Sequence, residues 1–356
     1  MSQKTLKIIA LSLILITIVM GAVLAVLYNN VYKKEGASVV EMASPSPQDF
    51  VPEKTELIID KKHNEMYTYD DMEADLNSLA KRYKNTMLLT SLAETEDGRT
   101  VYEAAAGKQG SENQYIVTAS IHAREYITTK LVMLQLIDFL AEYAGEDVLF
   151  RVIPMVNPDG VAISQFGREG IKNEKLAGKL EEIAISDGED FNNPYYFRQW
   201  KANANGVDLN RNFDAMWNEY KGTGHPSSDR YKGEYPGCEK ESAALIRLTM
   251  ENPIKKTVSY HTMGEVIYWY FAQTGELLEQ TEALAKKLGN ASGYRLDSDF
   301  ESLDPAGYKD WALSALKIPG VTIEVGHGEN PVDESQTDEI YNRNREVFRI
   351  ISGYYG

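Results

Sequence analysis

Residues 8–28 are apolar apart from Ser12 and Thr17 until Tyr28 closes the run, and no charge falls between Lys7 and Lys33. About 20 helical residues cross a hydrocarbon core of about 30 Å. The pattern therefore predicts a transmembrane signal anchor over 8–28, behind a short cytoplasmic tail of residues 1–7. A cleaved signal peptide is one alternative, but its apolar stretch usually covers about 7–15 residues before a small-residue cleavage site. Val26-Leu27-Tyr28 offers no such site. A buried core helix is another. Lys4 and Lys7 precede the run and Lys33 and Lys34 follow it, so flanking charge hardly sets orientation. A short tail before a span reads as an export signal, which places the body outside the cell membrane, single-pass, or secreted if the segment is cleaved. Ala43-Ser44-Pro45-Ser46-Pro47-Gln48 marks a linker over 29–50, leaving one domain over 51–356.

Within that domain, short β-branched runs alternate with amphipathic stretches. Residues 114–120, 148–156, 256–260 and 321–325 read as strands. Residues 128–143 place Leu131, Leu134, Ile137 and Leu140 near helical spacing, and 275–288 and 338–354 also read as helices. Asn157-Pro158-Asp159-Gly160 is a turn signal closing the second strand. The alternation predicts an α/β fold with a mixed, largely parallel twisted sheet, flanked by helices on both faces. Ligands in such sheets collect at the carboxyl ends of strands. His122, His261 and Glu324 each fall at or near a predicted strand end.

Composition narrows the function classes. The 356 residues are 43% hydrophobic and 25% charged, which suits a globular domain. A formal net charge of −16 argues against nucleic acid as a partner, because a phosphate backbone needs a basic face. The single cysteine, Cys238, rules out an intrachain disulfide and a Cys-rich metal site. Of the five histidines, only His122 is followed three residues later by a glutamate, Glu125. A strand-to-helix turn lets these two converge, and His261 is the best-placed third ligand for a hydrolytic zinc ion, which needs three protein ligands and an open position. On the pair alone, a buried histidine satisfied by a backbone carbonyl is the competing reading.

Neighbouring residues extend the pattern. Ser120-Ile121-His122-Ala123-Arg124-Glu125-Tyr126-Ile127-Thr128 resembles the zinc-binding segment of carboxypeptidase A-like metallocarboxypeptidases. Asn157-Pro158-Asp159-Gly160, Gly206-Val207-Asp208-Leu209-Asn210-Arg211-Asn212-Phe213, Ser259-Tyr260-His261-Thr262 and Thr322-Ile323-Glu324-Val325 resemble that family's later landmarks, in the family's order. Trp200-Lys201-Ala202-Asn203, Gly307-Tyr308-Lys309-Asp310-Trp311 and Glu324-Val325-Gly326-His327-Gly328-Glu329-Asn330-Pro331 are similar to the branch containing bacterial γ-D-glutamyl-diaminopimelate peptidases.

The resemblance implies one zinc ion held by His122, Glu125 and His261, with Asp208 orienting a ligand histidine and Glu324 as general base. It implies that Asn210 and Arg211 clamp a substrate carboxylate and that Arg124 touches substrate further from the cut. The family usually has an arginine directly after the tryptophan matching Trp200, for the oxyanion. Lys201 stands there, with Arg198 as the nearby substitute. Lys309 falls at the family's specificity position, where it would meet an anionic group or simply pair with Asp310. Tyr308 is the loose counterpart of the family's mobile tyrosine. About 40 residues separate Gly160 from Lys201, and the charged stretch 172–190 within them is an insertion placed to rim the cleft. The implied reaction is hydrolysis of an amide in small peptides, foremost the γ-D-glutamyl-diamino acid bond of peptidoglycan stem peptides. The rivals are an ordinary carboxypeptidase releasing acidic C-terminal residues and a catalytically silent binding protein.

Overall fold

Three central strands are buried on both faces over most of their length. The computed structural model of the chain describes residues 56–62, 64–297 and 303–353, and in it β3 (Gln114–Thr118), β5 (Ile254–Thr262) and β8 (Gly320–Val325) lie side by side. Burial on both faces is characteristic of parallel strands with helices on either side. With β4 (Leu149–Ile153) they form a parallel core in the order β4-β3-β5-β8. Antiparallel neighbours extend it. The hairpin β1 (Met87–Glu94) and β2 (Thr100–Gly107) adds beside β4, and β6 (Val266–Tyr268) adds beside β8, followed by β7 (Arg295–Leu296). The expected mixed, largely parallel sheet is thus present. The predicted anchor at 8–28, the tail at 1–7 and the linker at 29–50 lie outside the described residues. Among the described residues no helix is long and apolar enough to cross a membrane.

Period-2 alternation sends successive side chains to opposite faces. Phe150, Val152, Tyr115, Val117, Val258, Tyr260 and Ile323 pack on one face, against α1 (Tyr69–Arg82), α2 (Ile127–Glu142), α7 (Gly275–Ser292), α9 (Thr337–Asn344) and α10 (Val347–Ser352). Ile116 and Ile153 pack on the other, against α6 (Lys240–Met250) and α8 (Tyr308–Ser314). Burying each Leu, Ile, Val or Phe side chain contributes about 1.5–3 kcal/mol, so both helical layers are anchored to the sheet.

Two expectations change, and the insertion gains a structure. Residues 338–354 do not form one closing helix. The helix breaks after Asn344, whose carbonyl accepts from Gln135 Nε2 at 2.7 Å instead of from the next helical turn. Asn157-Pro158-Asp159-Gly160 starts helix α3 (Pro158–Phe166) rather than making a turn. Asn157 Oδ1 accepts the Gly160 N–H at 3.0 Å, and proline fills the first turn, where no amide donor is needed. The insertion 172–190 is mostly helix α4 (Glu174–Asp187), whose Leu176, Leu180 and Ile183 form a third cluster with Trp200 and with Phe197 of α5 (Pro194–Arg198).

Candidate active site

Strand β3 ends two residues short of the 114–120 expectation, and the chain turns sharply. Ser120 has a positive φ of 49°. The turn is held by its own hydroxyl, 2.8 Å from the Thr129 hydroxyl, and by its amide, which donates to Thr128 Oγ1 at 2.9 Å. Asn157 Nδ2 donates to the carbonyls of Ile121 and Ala202, at 3.2 and 3.0 Å. His122 follows, and the 3₁₀ turn Ala123–Glu125 swings Glu125 round beside it. His261 arrives from β5, directly opposite Glu324 of β8. Because Tyr260 and Ile323 fill the core on one face, alternation turns His261 and Glu324 together to the other.

The three ligand candidates meet. His122 Nδ1 lies 2.9 Å from Glu125 Oε1, His261 Nδ1 lies 3.0 Å from Glu125 Oε2, and the two Nδ1 atoms are 3.1 Å apart. One ligand atom from each residue falls within 4.8 Å of the others, and all three side chains are buried. Two imidazole nitrogens and a carboxylate converging in this way fit one divalent cation of the zinc type. The far nitrogen of His122, Nε2, lies 3.2 Å from Asp208 Oδ1. A carboxylate on the outer nitrogen fixes the tautomer that leaves Nδ1 free to bind metal. Burial opposes charge on Glu125, but the two imidazoles hold its carboxyl well below the usual range.

Around this centre the structure distributes the remaining residues. Asp208 caps the turn Leu209–Arg211 by accepting the Asn210 N–H at 3.1 Å, so one carboxylate shapes a turn and orients His122. Lys201 Nζ stands 3.8 Å from Asp208 Oδ2 and 3.4 Å from Asp229 Oδ1. Arg198 is exposed at the end of α5, where its charge acts on Tyr126 and Asp333, so Lys201 and not Arg198 belongs to the centre. Glu324 is pushed up to about 7, by burial first and then by Glu125, against the pull of His261, Lys201 and Arg124. Asn210, Arg211, Lys309, Asp310 and Glu324 line one cavity of about 380 Å³. Arg124 donates to Gln199 and lines a second, of about 470 Å³, together with Ser186, Asp187 and Glu189 from the end of the insertion.

Tyr308 is not brought to the cavity. It is 1% exposed, packs against Phe213 and Trp311, and shares a hydrogen bond with Thr249 Oγ1 at 2.9 Å. It opens a helix whose buried stripe it continues, which is why adjacency to Lys309 in sequence misleads. Tyr268 and Tyr270 line the cavity instead. Asp304, also unforeseen, pairs with Arg211 at 2.5 Å. Nothing in its local sequence distinguishes it from any other loop acid.

The pattern that describes zinc carboxypeptidases matches residues 72–347. The chain belongs to the zinc carboxypeptidase family. It is a hydrolase of the metallopeptidase type, with zinc as its cofactor. Among curated relatives of this family, gamma-D-glutamyl-L-diamino acid endopeptidase 1 of Lysinibacillus sphaericus is 32% identical over 307 residues, covering 81% of this chain and 72% of that protein. Carboxypeptidase B of Astacus astacus is 26% identical over 265 residues, covering 69% of this chain and 81% of that protein. The carboxypeptidase A structure from Helicoverpa armigera superposes with a TM-score of 0.62 at 17% identity, over 82% of this chain and 75% of that one, and shares the fold.

Proposed function

We propose that the domain hydrolyses the amide between γ-D-glutamate and a diamino acid in peptidoglycan stem peptides. The observation that carries this reading is the cavity beside Glu324, which joins a carboxylate clamp, Asn210 and Arg211, to a charged floor, Lys309 and Asp310. The Lysinibacillus relative, named for this bond, supports it.

Bound zinc supplies a Lewis acid that polarises a carbonyl and lowers the pKa of water. Glu324 takes a proton from the attacking water and delivers it to the leaving amine. Its elevated pKa keeps that proton exchangeable near neutral pH. Lys201, fixed by Asp208 and Asp229, faces the negative charge that develops on the carbonyl oxygen, as a compact point charge rather than a guanidinium fork. Arg211 offers paired donors to the carboxylate of the leaving residue, displacing the exposed Asp304. Arg124 contacts the acyl side.

A carboxypeptidase selective for acidic C-terminal residues would need an uncompensated cation at Lys309. Asp310, 2.5 Å away, compensates it. A silent binding protein is disfavoured by a complete set of ligands and base. The apolar run 8–28 anchors the domain in the cell membrane with the catalytic body outside, where wall fragments reach it. The test is digestion of a defined stem tripeptide by the full chain, with and without a chelator, read by mass spectrometry. The expected products are L-Ala-D-Glu, its γ-carboxyl freed, and free diamino acid, both lost on chelation. Release of only single C-terminal α-amino acids from ordinary peptides would overturn the reading.

A further inference from the structure

The insertion 172–190 supplies no ligand to the metal centre, yet one side of its helix reaches both loops around Lys201. Lys179, Ile183 and Asp187 are spaced four apart in α4, so they follow one another along the same side. Lys179 Nζ donates to Asn205 Oδ1 at 2.7 Å. Ile183 comes so near Gly206 that a Cβ there would stand 2.8 Å from its Cδ1. Asn205 and Gly206 are the tip of the tight loop that joins Lys201 to Asp208, in which the Gly206 N–H donates to the Asn203 carbonyl at 3.0 Å and the Asn203 N–H to the Val207 carbonyl at 2.9 Å. Asp187, the last residue of α4, reaches the second loop. Its Oδ2 accepts the Ser228 N–H at 2.9 Å. The Ser228 carbonyl accepts the N–H groups of Lys201 and Ala202, at 2.9 and 3.0 Å, and the next residue, Asp229, faces the Lys201 ammonium at 3.4 Å. One acceptor on the insertion thus sets the loop that holds both the main chain and the side chain of Lys201.

A lysine needs such support more than an arginine would. A guanidinium carries its donors in a rigid plane, whereas an ammonium on a four-carbon stem is a movable point charge. A group that stabilises a developing oxyanion works by being in place beforehand, and a displacement of about 1 Å can cost about 100-fold in rate. We propose that the insertion helix braces the oxyanion side of the centre, with Asp187 as the positioning residue that sets Lys201 through Ser228 and Asp229. This role rests on the reading above, in which Lys201 faces the charge on the carbonyl oxygen. A helix that only narrowed the cleft would decide which peptides enter, and so act on KM. A brace behind Lys201 acts on kcat.

The test measures kcat and KM of the full chain on the stem tripeptide, with zinc content by elemental analysis, for the parent, Asp187→Ala, Tyr196→Phe, Lys201→Met and the double variant at 187 and 201. Asp187→Ala lowers kcat about 10- to 100-fold, with KM within about threefold and zinc content at the parental value. In the Lys201→Met background the same substitution costs less than about twofold, because the group it positions is gone. The Tyr196 hydroxyl donates to the same Asp187 Oδ2 at 2.7 Å. Tyr196→Phe leaves the Ser228 bond in place and keeps kcat within about twofold. Hydrogen exchange without substrate gives a readout independent of turnover, in which the amides of Lys201, Ala202 and Ser228 exchange faster in Asp187→Ala than in the parent. Asp187→Leu removes the acceptor while keeping the volume, and replaces the alanine variant if that fails to fold. A raised KM at unchanged kcat would make Asp187 a substrate contact and overturn the proposal. So would an equal loss of kcat in both Lys201 backgrounds, an equal loss in Tyr196→Phe, or unchanged exchange. Parental kcat in Lys201→Met would instead remove the oxyanion assignment on which the brace rests, which is a distinct result.

Discussion

Replacing Asp208 with Asn tests the electrostatic design of the metal centre. The carboxylate is fully buried. Burial alone would raise its pKa, but Lys201 and His122 hold it well below the usual range, so it is an anion at neutral pH. Its Oδ1 lies 3.2 Å from His122 Nε2 and accepts the Asn210 N–H at 3.1 Å, while Oδ2 lies 3.8 Å from Lys201 Nζ. Asparagine has nearly the same shape, and its amide oxygen can still cap the turn and accept from the imidazole. Only the negative charge is lost. An imidazole whose outer N–H faces an anion is a stronger metal donor, and losing such a partner weakens metal binding about 10- to 100-fold, or ~1.4–2.8 kcal/mol. Competition with a chromophoric chelator at neutral pH measures the zinc Kd directly. At saturating zinc a second effect remains. Lys201 keeps only Asp229, at 3.4 Å, as its counter-ion, so kcat changes even in fully loaded enzyme. A folded variant with the parent's zinc Kd would refute the claim that Asp208 acts through His122.

Glu324→Gln lowers kcat by about 100- to 10,000-fold while zinc stoichiometry by elemental analysis stays at the parental value; activity equal to the parent would remove Glu324 from the chemistry. Asp304→Asn frees Arg211 from a partner whose side chain is 70% exposed. Such a pair is worth up to about 1 kcal/mol, so KM for peptides with a free carboxylate falls by up to about fivefold at low salt, and a KM that does not move contradicts the displacement step. Tyr308→Phe leaves kcat within about twofold and costs about 1 kcal/mol in denaturant unfolding, through the lost bond to Thr249; a collapse of kcat would return Tyr308 to the site. Glu241, buried in the first turn of α6, is pushed up to about 8 by burial and then by Glu239. Its folded pKa exceeds its unfolded one, so its neutral form favours the native state at low pH and stability is lost as pH rises towards 8. The stability of Glu241→Gln relative to the parent therefore grows with pH between about 5 and 8, by up to about 1.4 kcal/mol per unit, and a pH-independent difference would contradict the assignment.

The fold class was legible in the chain because it rests on local pattern, and the metal ligands because a local pair, His122 and Glu125, sits among segments that resemble the family's. Continuous apolar runs can only be strands covered on both faces or buried helices, and their lengths separate the two. His122 and Glu125 are brought together by one turn, and His261 and Glu324 stand at ends of recognisable strands. Asp208 and Lys201 were singled out only through resemblance, because a turn aspartate and a lone lysine look the same anywhere. The tertiary structure alone decided the rest. The antiparallel pairings of β2 with β4 and of β6 with β8 join segments far apart in the chain, and no local pattern encodes their register. The helix break after Asn344 depends on Gln135, and the cap on Arg211 on Asp304. Tyr308 and Lys309 are neighbours in sequence, yet helical geometry sends one into the core and the other into the cavity. Periodicity reports whether a side chain is buried, but what it is buried against depends on segments that meet only when the chain folds.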